Sequence, residues 1–196
     1  MIQALQIEAF WHNGLPIAIW TPDAGRYGYY AEVLLNGGTL PLSADYLTGH
    51  LIAGVSSLLG IPLEWVMLIL PVVIAPLIVI PVMMIAKSMK QCTLGLLAAL
   101  ITVSETYFYM RSYLGYMDTD GINLLLILFA VSFIIKAVLE KQLWYAVVAS
   151  FCLDLFALWY HSSSIINLLI VSVTFITVLF NYRKEIVAIQ SIFLLG

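Results

Sequence analysis

Uncharged stretches as long as a bilayer is thick constrain this chain most. Trp65–Ala86 contains no Asp, Glu, Lys or Arg, and a helix needs about 20 consecutive apolar residues to cross a hydrocarbon core of about 30 Å. Further apolar runs lie at Cys92–Met110, Ile122–Leu139, Leu143–Tyr160 and Ile165–Tyr182, and Ile186–Gly196 begins another. In lipid a segment must satisfy its own backbone polar groups, so such runs are expected as helices. Composition agrees. The chain is 63% hydrophobic and 10% charged, where a soluble domain carries roughly 25% charged residues. The expected class is therefore all-α integral membrane, with about five spans over residues 63–196 and a sixth cut short by the end of the chain. Pro71, Pro76 and Pro81 should bend the first span, because each removes a backbone donor.

Residues 1–62 read differently. Their glycines, prolines and acids punctuate loops and short helices, and Tyr46–Ile61 is apolar but interrupted, as suits a helix lying at the membrane interface. His50 reads as a hydrogen-bonded interfacial histidine rather than a ligand, since a metal site needs several convergent donors. Cys92 and Cys152 read as small apolar fillers. Nothing after Met1 has the basic start and apolar core of a cleavable signal peptide. The net charge of −3, with no basic tract, gives no reason to expect a nucleic-acid partner.

Charge sets an orientation. If the spans alternate, Lys87, Lys90, Lys136, Lys141, Arg183 and Lys184, six of the eight Lys and Arg residues, fall on one face. Cytoplasmic loops carry the excess of Lys and Arg, so that face is cytoplasmic. Arg26 and Arg111 fall on the other face with Glu8, Asp23, Glu32, Asp45, Glu64, Asp118 and Asp120. The external face thus gathers acids and two cations able to pair with them or with an anionic substrate.

The chemistry concentrates in Tyr107–Asn123, where Arg111 precedes a glycine-containing turn and then Asp118-Thr119-Asp120. Carboxylates one residue apart can face one hard divalent cation. A guanidinium nearby is built to grip phosphate oxygens in a fork. Asp23, in the phrase Thr21-Pro22-Asp23-Ala24-Gly25-Arg26-Tyr27, is read as part of a loop with a sharp turn on the same face and is a third candidate ligand. An isolated Asp-x-Asp in a short wet loop is also what a merely solvated turn looks like. The arginine and the aromatics Tyr107, Phe108, Tyr109, Tyr113 and Tyr116 weigh against that reading. Glu105 and Asp154 stand inside apolar runs, where ionisable groups are rare; Asp154 reads as a carboxyl facing a neighbouring helix.

The phrase Arg111-Ser-Tyr-Leu-Gly115-Tyr116-Met-Asp118-Thr119-Asp120 resembles the second acidic motif of oligosaccharyltransferase catalytic subunits, and among them the bacterial single-subunit PglB type. Asp23 with Tyr29-Tyr30-Ala31-Glu32 resembles the first acidic motif, and Trp159-Tyr160-His161-Ser162-Ser163 a Trp/Tyr-rich external turn. The resemblance implies a GT-C-type multi-span helical bundle with a long first external loop, in a bacterial inner (cytoplasmic) membrane, with its active site facing the periplasm. It implies transfer of an oligosaccharide from a polyprenyl-pyrophosphate donor to the asparagine of an Asn-x-Ser/Thr acceptor polypeptide. Residue by residue, it implies Asp23 and Asp118 as catalytic ligands of Mg²⁺ or Mn²⁺, Asp120 as a further metal ligand or support, and Arg111 as the holder of the donor pyrophosphate. The family's sequon-reading Trp-Trp-Asp motif occurs nowhere in the chain, so the expectation is an N-terminal membrane portion, inactive by itself. Another polyprenyl-linked GT-C glycosyltransferase, or a non-catalytic membrane subunit or transporter, would share some of these features.

Overall fold

The computed structural model describes residues 11–16, 21–43 and 46–160. The expected fifth span Ile165–Tyr182, the run 186–196, the charges at 183–185, most of the 159–163 turn and the acids Glu8 and Asp45 lie outside the described residues. What is described is helical apart from one small hairpin, an element the all-α expectation did not include. Strands β1 (Trp11–His12) and β2 (Leu15–Pro16) pair antiparallel through Asn13-Gly14, both at positive φ. Asn-Gly is the dipeptide that best tolerates this two-residue turn.

Helix α1 (Pro22–Leu35) corrects the reading of residues 21–27 as a turned loop. Thr21 is extended and its side chain accepts from the Ala24 N–H; proline follows in the first turn and Asp23 stands there with it. Each is a helix-start signal: a capping hydroxyl, a residue with no donor to lose, and an anion at the positive end of the helix dipole. Gly25 and Gly28 had argued for a loop, but two glycines do not outweigh a capped helix whose other face is buried. Helix α2 (Leu47–Leu59) closes at Gly60. The helix expected at 46–61 is thus present, and His50 Nδ1 donates to the Tyr46 carbonyl at 3.0 Å, as a hydrogen-bonded histidine should. The two helices approach closely at Gly49, where a Cβ would stand 2.6 Å from that of Tyr30.

Residues 63–88 form one long apolar helical stretch: α3 (Leu63–Ile74), a 3₁₀ turn at Ala75–Ile78 and α4 (Val79–Ser88). The prolines produce the expected irregularity, since the tighter turn begins four residues beyond Pro71 and contains Pro76. Helix α7 (Asp120–Glu140) is the other described stretch long and apolar enough to cross a bilayer. The run 92–110 is not one helix. Helix α5 (Cys92–Ser104) stops at Glu105, whose backbone is extended, and the short α6 (Thr106–Met110) starts there with the Glu105 carboxylate accepting from the Phe108 N–H at 2.8 Å. Glu105 is therefore a helix cap, not an acid buried along a span, and 13 residues reach only about 20 Å. Helix α8 (Leu143–Trp159) pairs antiparallel with α7 and leaves Asp154 on an exposed face.

These helices bury part of their apolar surface against each other and leave many large apolar side chains exposed. Ala130, Cys152 and Leu153 pack between α7 and α8, while Leu94, Leu100, Ile101, Val147 and Phe151 are exposed. Apolar surface that extensive suits lipid and not water. A second core forms from Ala24, Tyr27 and Ala31 of α1, Ile52 and Ala53 of α2, Val66 and Met67 of α3, and Met117 from the turn before α7. It brings the start of α1 to the same end of the helices as the acidic turn.

Candidate functional site

The turn between α6 and α7 is held at two points. The Gly115 N–H donates to the Leu68 carbonyl of α3 at 2.9 Å. Gly115 has φ +81, a region that a residue with a Cβ adopts only with strain. Two residues later the Met117 carbonyl accepts a hydrogen bond from Thr21 Oγ1 at 2.9 Å, across 96 positions of sequence. Met117 itself is buried. The acids that follow are therefore presented from a fixed backbone.

Asp118 is the shielded acid of the group. Its side chain is 15% exposed, against 36% for Asp120 and 52% for Asp23. Its Oδ1 accepts from the Thr119 N–H at 2.7 Å, and its Oδ2 lies 3.7 Å from Arg111 Nη1. The same Nη1 pairs with Asp120 Oδ2. Burial pushes the Asp118 carboxyl above the usual carboxylate range; the Thr119 N–H opposes this, and the charge of Asp120 adds to it. Arg111 opposes the shift and the charge of Asp23 adds to it, each less strongly. Arg111 also lies over the ring of Tyr107, 4.7 Å from its centroid. Its guanidinium is held above the ordinary range chiefly by the hydrogen bond to Asp120. Burial likewise raises the phenol of Tyr116, beside the same groups.

Asp23 occupies the first turn of α1 and pairs with Arg26 at 3.1 Å. Its charge reaches both Asp118 and Tyr27, whose phenol is raised first by burial. The structure so brings all four expected residues, Asp23, Arg111, Asp118 and Asp120, to one end of the helices. Arg111, Asp118 and Asp120 form one ion-paired group, while Asp23 pairs with Arg26 on α1. Among the described residues no three His, Cys, Asp or Glu side chains stand together in ligating positions. The donor chemistry is of the kind a hard dication takes, since Asp118 and Asp120 offer carboxylate oxygens on one turn and Asp23 adds a third carboxylate at the same end of the helices. Beside the group a cleft of about 700 Å³ opens between α5, α6, α7 and α8, lined by Glu105, Tyr107, Arg111, Asp120, Asn123 and apolar side chains.

Sequence reasoning missed Thr21, Gly115 and the Met117 carbonyl. Thr21 was legible as a cap, since Thr-Pro-Asp is a helix-start phrase. Its second bond, to residue 117, depends on tertiary packing and leaves no local sign. Gly115 was legible as a turn residue but not as an anchor to α3.

Compared with known proteins, residues 8–194 match the family described as oligosaccharyl transferase STT3, N-terminal. The chain is 28% identical over 122 residues to the undecaprenyl-diphosphooligosaccharide–protein glycotransferases of two Campylobacter jejuni strains. The match covers 62% of this chain and 17% of each relative, so the chain spans well under a quarter of the length of the curated relatives it matches.

Proposed function

The chain belongs to the STT3 family of oligosaccharyl transferases, and on that footing we propose that it supplies the donor-handling face of a membrane enzyme of protein N-glycosylation. The reaction is transfer of an oligosaccharide from a polyprenyl diphosphate to the asparagine of an Asn-x-Ser/Thr polypeptide. The bond from the anomeric carbon to the amide nitrogen forms, the bond to the diphosphate oxygen breaks, the diphosphate leaves with the electron pair, and the amide gives up a proton. The observation that carries this reading is Asp118: a shielded carboxylate, paired with Arg111 beside Asp120, on a turn fastened to both α1 and α3.

Asp118, Asp120 and Asp23 would hold Mg²⁺ or Mn²⁺. Bound there, the ion supplies positive charge to neutralise the leaving diphosphate. Arg111 has a planar fork of donors to share between the carboxylates and the phosphate oxygens, and Tyr107 beneath it restricts where the fork can point. Asp23, more exposed than Asp118, would meet the acceptor amide, and its exposure supports that role. A carboxylate accepting from that amide draws its lone pair out of conjugation, which a poor nucleophile needs. The surrounding protein is a multi-span bundle of GT-C type in a bacterial inner membrane, with this end toward the periplasm. The exposed apolar faces of α5 and α8, the two long apolar stretches and the Lys/Arg partition support that placement.

The test is transfer of a lipid-linked oligosaccharide to a fluorescent sequon peptide by the full-length protein, titrated with donor. Arg111→Ala should raise the KM for donor, and Arg111→Lys should restore only part of the loss, because an ammonium keeps the charge without the fork. Unaltered donor dependence in Arg111→Ala would take the arginine out of the donor site.

A further inference from the structure

Asp23 and Asp118 lie on segments separated by almost a hundred residues, and one side chain joins them. Thr21 Oγ1 accepts from the Ala24 N–H at 3.0 Å and donates to the Met117 carbonyl at 2.9 Å. A hydroxyl has one proton and lone pairs to spare, so it can do both at once. The acceptor bond caps α1 and orients its first turn, which contains Asp23. The donor bond ends on the residue immediately before Asp118. Thr21 is 7% exposed and Met117 2% exposed, so neither bond is easily replaced by water.

From this we propose that Thr21 is a positioning residue: a single hydroxyl sets the distance and angle between Asp23 at the start of α1 and Asp118 on the acidic turn. The proposal rests on the reading of these acids as one site. Ala24, Tyr27 and Met117 of the two segments also share one apolar cluster, which resists separation but does not fix direction. The Thr21 bond supplies direction. Its geometric consequence for the Asp118 side chain is direct, because Asp118 is the next residue and its Oδ1 is tied to the Thr119 N–H.

The experiment compares Thr21→Val and Thr21→Ser in the full-length protein with two readouts. Valine keeps the shape and removes both bonds; serine keeps both. Amide hydrogen exchange is followed in peptides covering 21–30 and 113–119. Loss of a cap alone would speed exchange only in the first peptide, whereas loss of the clamp speeds it in both. Thr21→Val should accelerate both, and Thr21→Ser neither. The second readout is Mn²⁺ binding by electron paramagnetic resonance, together with the Mn²⁺ concentration giving half-maximal glycan transfer. Both should shift about tenfold toward weaker binding in Thr21→Val and return with serine, the size typical of removing a group that orients a metal ligand. Exchange confined to 21–30, or unchanged Mn²⁺ affinity despite faster exchange at 113–119, would overturn the proposal. Absence of any Mn²⁺ binding or transfer in the unsubstituted protein would instead defeat the reading of the site, and the exchange measurement would still decide the clamp.

Discussion

At the scale of the residue, Asp118 shows a conflict between stability and use. Its carboxyl is raised above its ordinary value chiefly by burial. A group whose folded-state pKa is raised binds its proton more tightly folded than unfolded, so its ionised form lowers stability above the folded pKa. That cost is relieved as pH falls through the folded pKa toward the ordinary value. Asp118→Asn removes the charge while its amide oxygen can still accept from the Thr119 N–H. The variant should therefore melt at the same temperature as the parent or higher at pH 7, with the difference shrinking toward acid. Thermal unfolding followed by circular dichroism at several pH values checks this, and a variant less stable at pH 7 than at acid pH relative to the parent would contradict it. Both acids and the arginine were legible in sequence because their chemistry is local to one phrase. Their ranking was not, since shielding of Asp118 relative to Asp23 comes from α1, α3 and Met117 packing together.

At the scale of the element, apolar length located the helices and small polar signals placed their ends. The run 92–110 has the length and apolarity of one span, with Glu105 its single charge. The polar triplet Ser104-Glu105-Thr106 was the better signal, for the Glu105 side chain caps α6. Glu105→Ala should uncap α6 at a cost of about 1 kcal/mol, seen as faster amide exchange at Phe108 with α5 unaffected. The start of α1 shows the reverse: Thr-Pro-Asp is a helix-start phrase, and it outweighs the two glycines that follow. Gly115 couples elements directly. Gly115→Ala puts a Cβ on a residue at φ +81, at about 1–2 kcal/mol, and loosens the bond to the Leu68 carbonyl. It should lower both thermal stability and Mn²⁺ affinity, whereas Asp118→Asn should lower affinity alone.

At the scale of the molecule, the arrangement of charge matters more than its amount. The chain is a membrane protein in which Asp23, Arg26, Arg111, Asp118 and Asp120 lie at one end, around a core built by α1, α2 and α3. Lys87, Lys90, Lys136 and Lys141 follow at the other ends of the long helices. Cysteines introduced singly at positions 36 and 141 should therefore react with an impermeant thiol reagent from opposite sides of the membrane, and labelling of both from one side would break the orientation. Sequence alone made that partition visible, because lysine and arginine placement follows the membrane; the joining of 21 to 117 needed the fold. Whether the acidic turn holds the metal is decided by metal-dependent glycan transfer in the full-length protein carrying Asp118→Ala, beside Glu140→Gln at the far end of α7. Asp118→Ala should lose Mn²⁺-dependent transfer while Glu140→Gln retains it; full Mn²⁺-dependent turnover in Asp118→Ala would show the acidic turn to have no part in holding the metal.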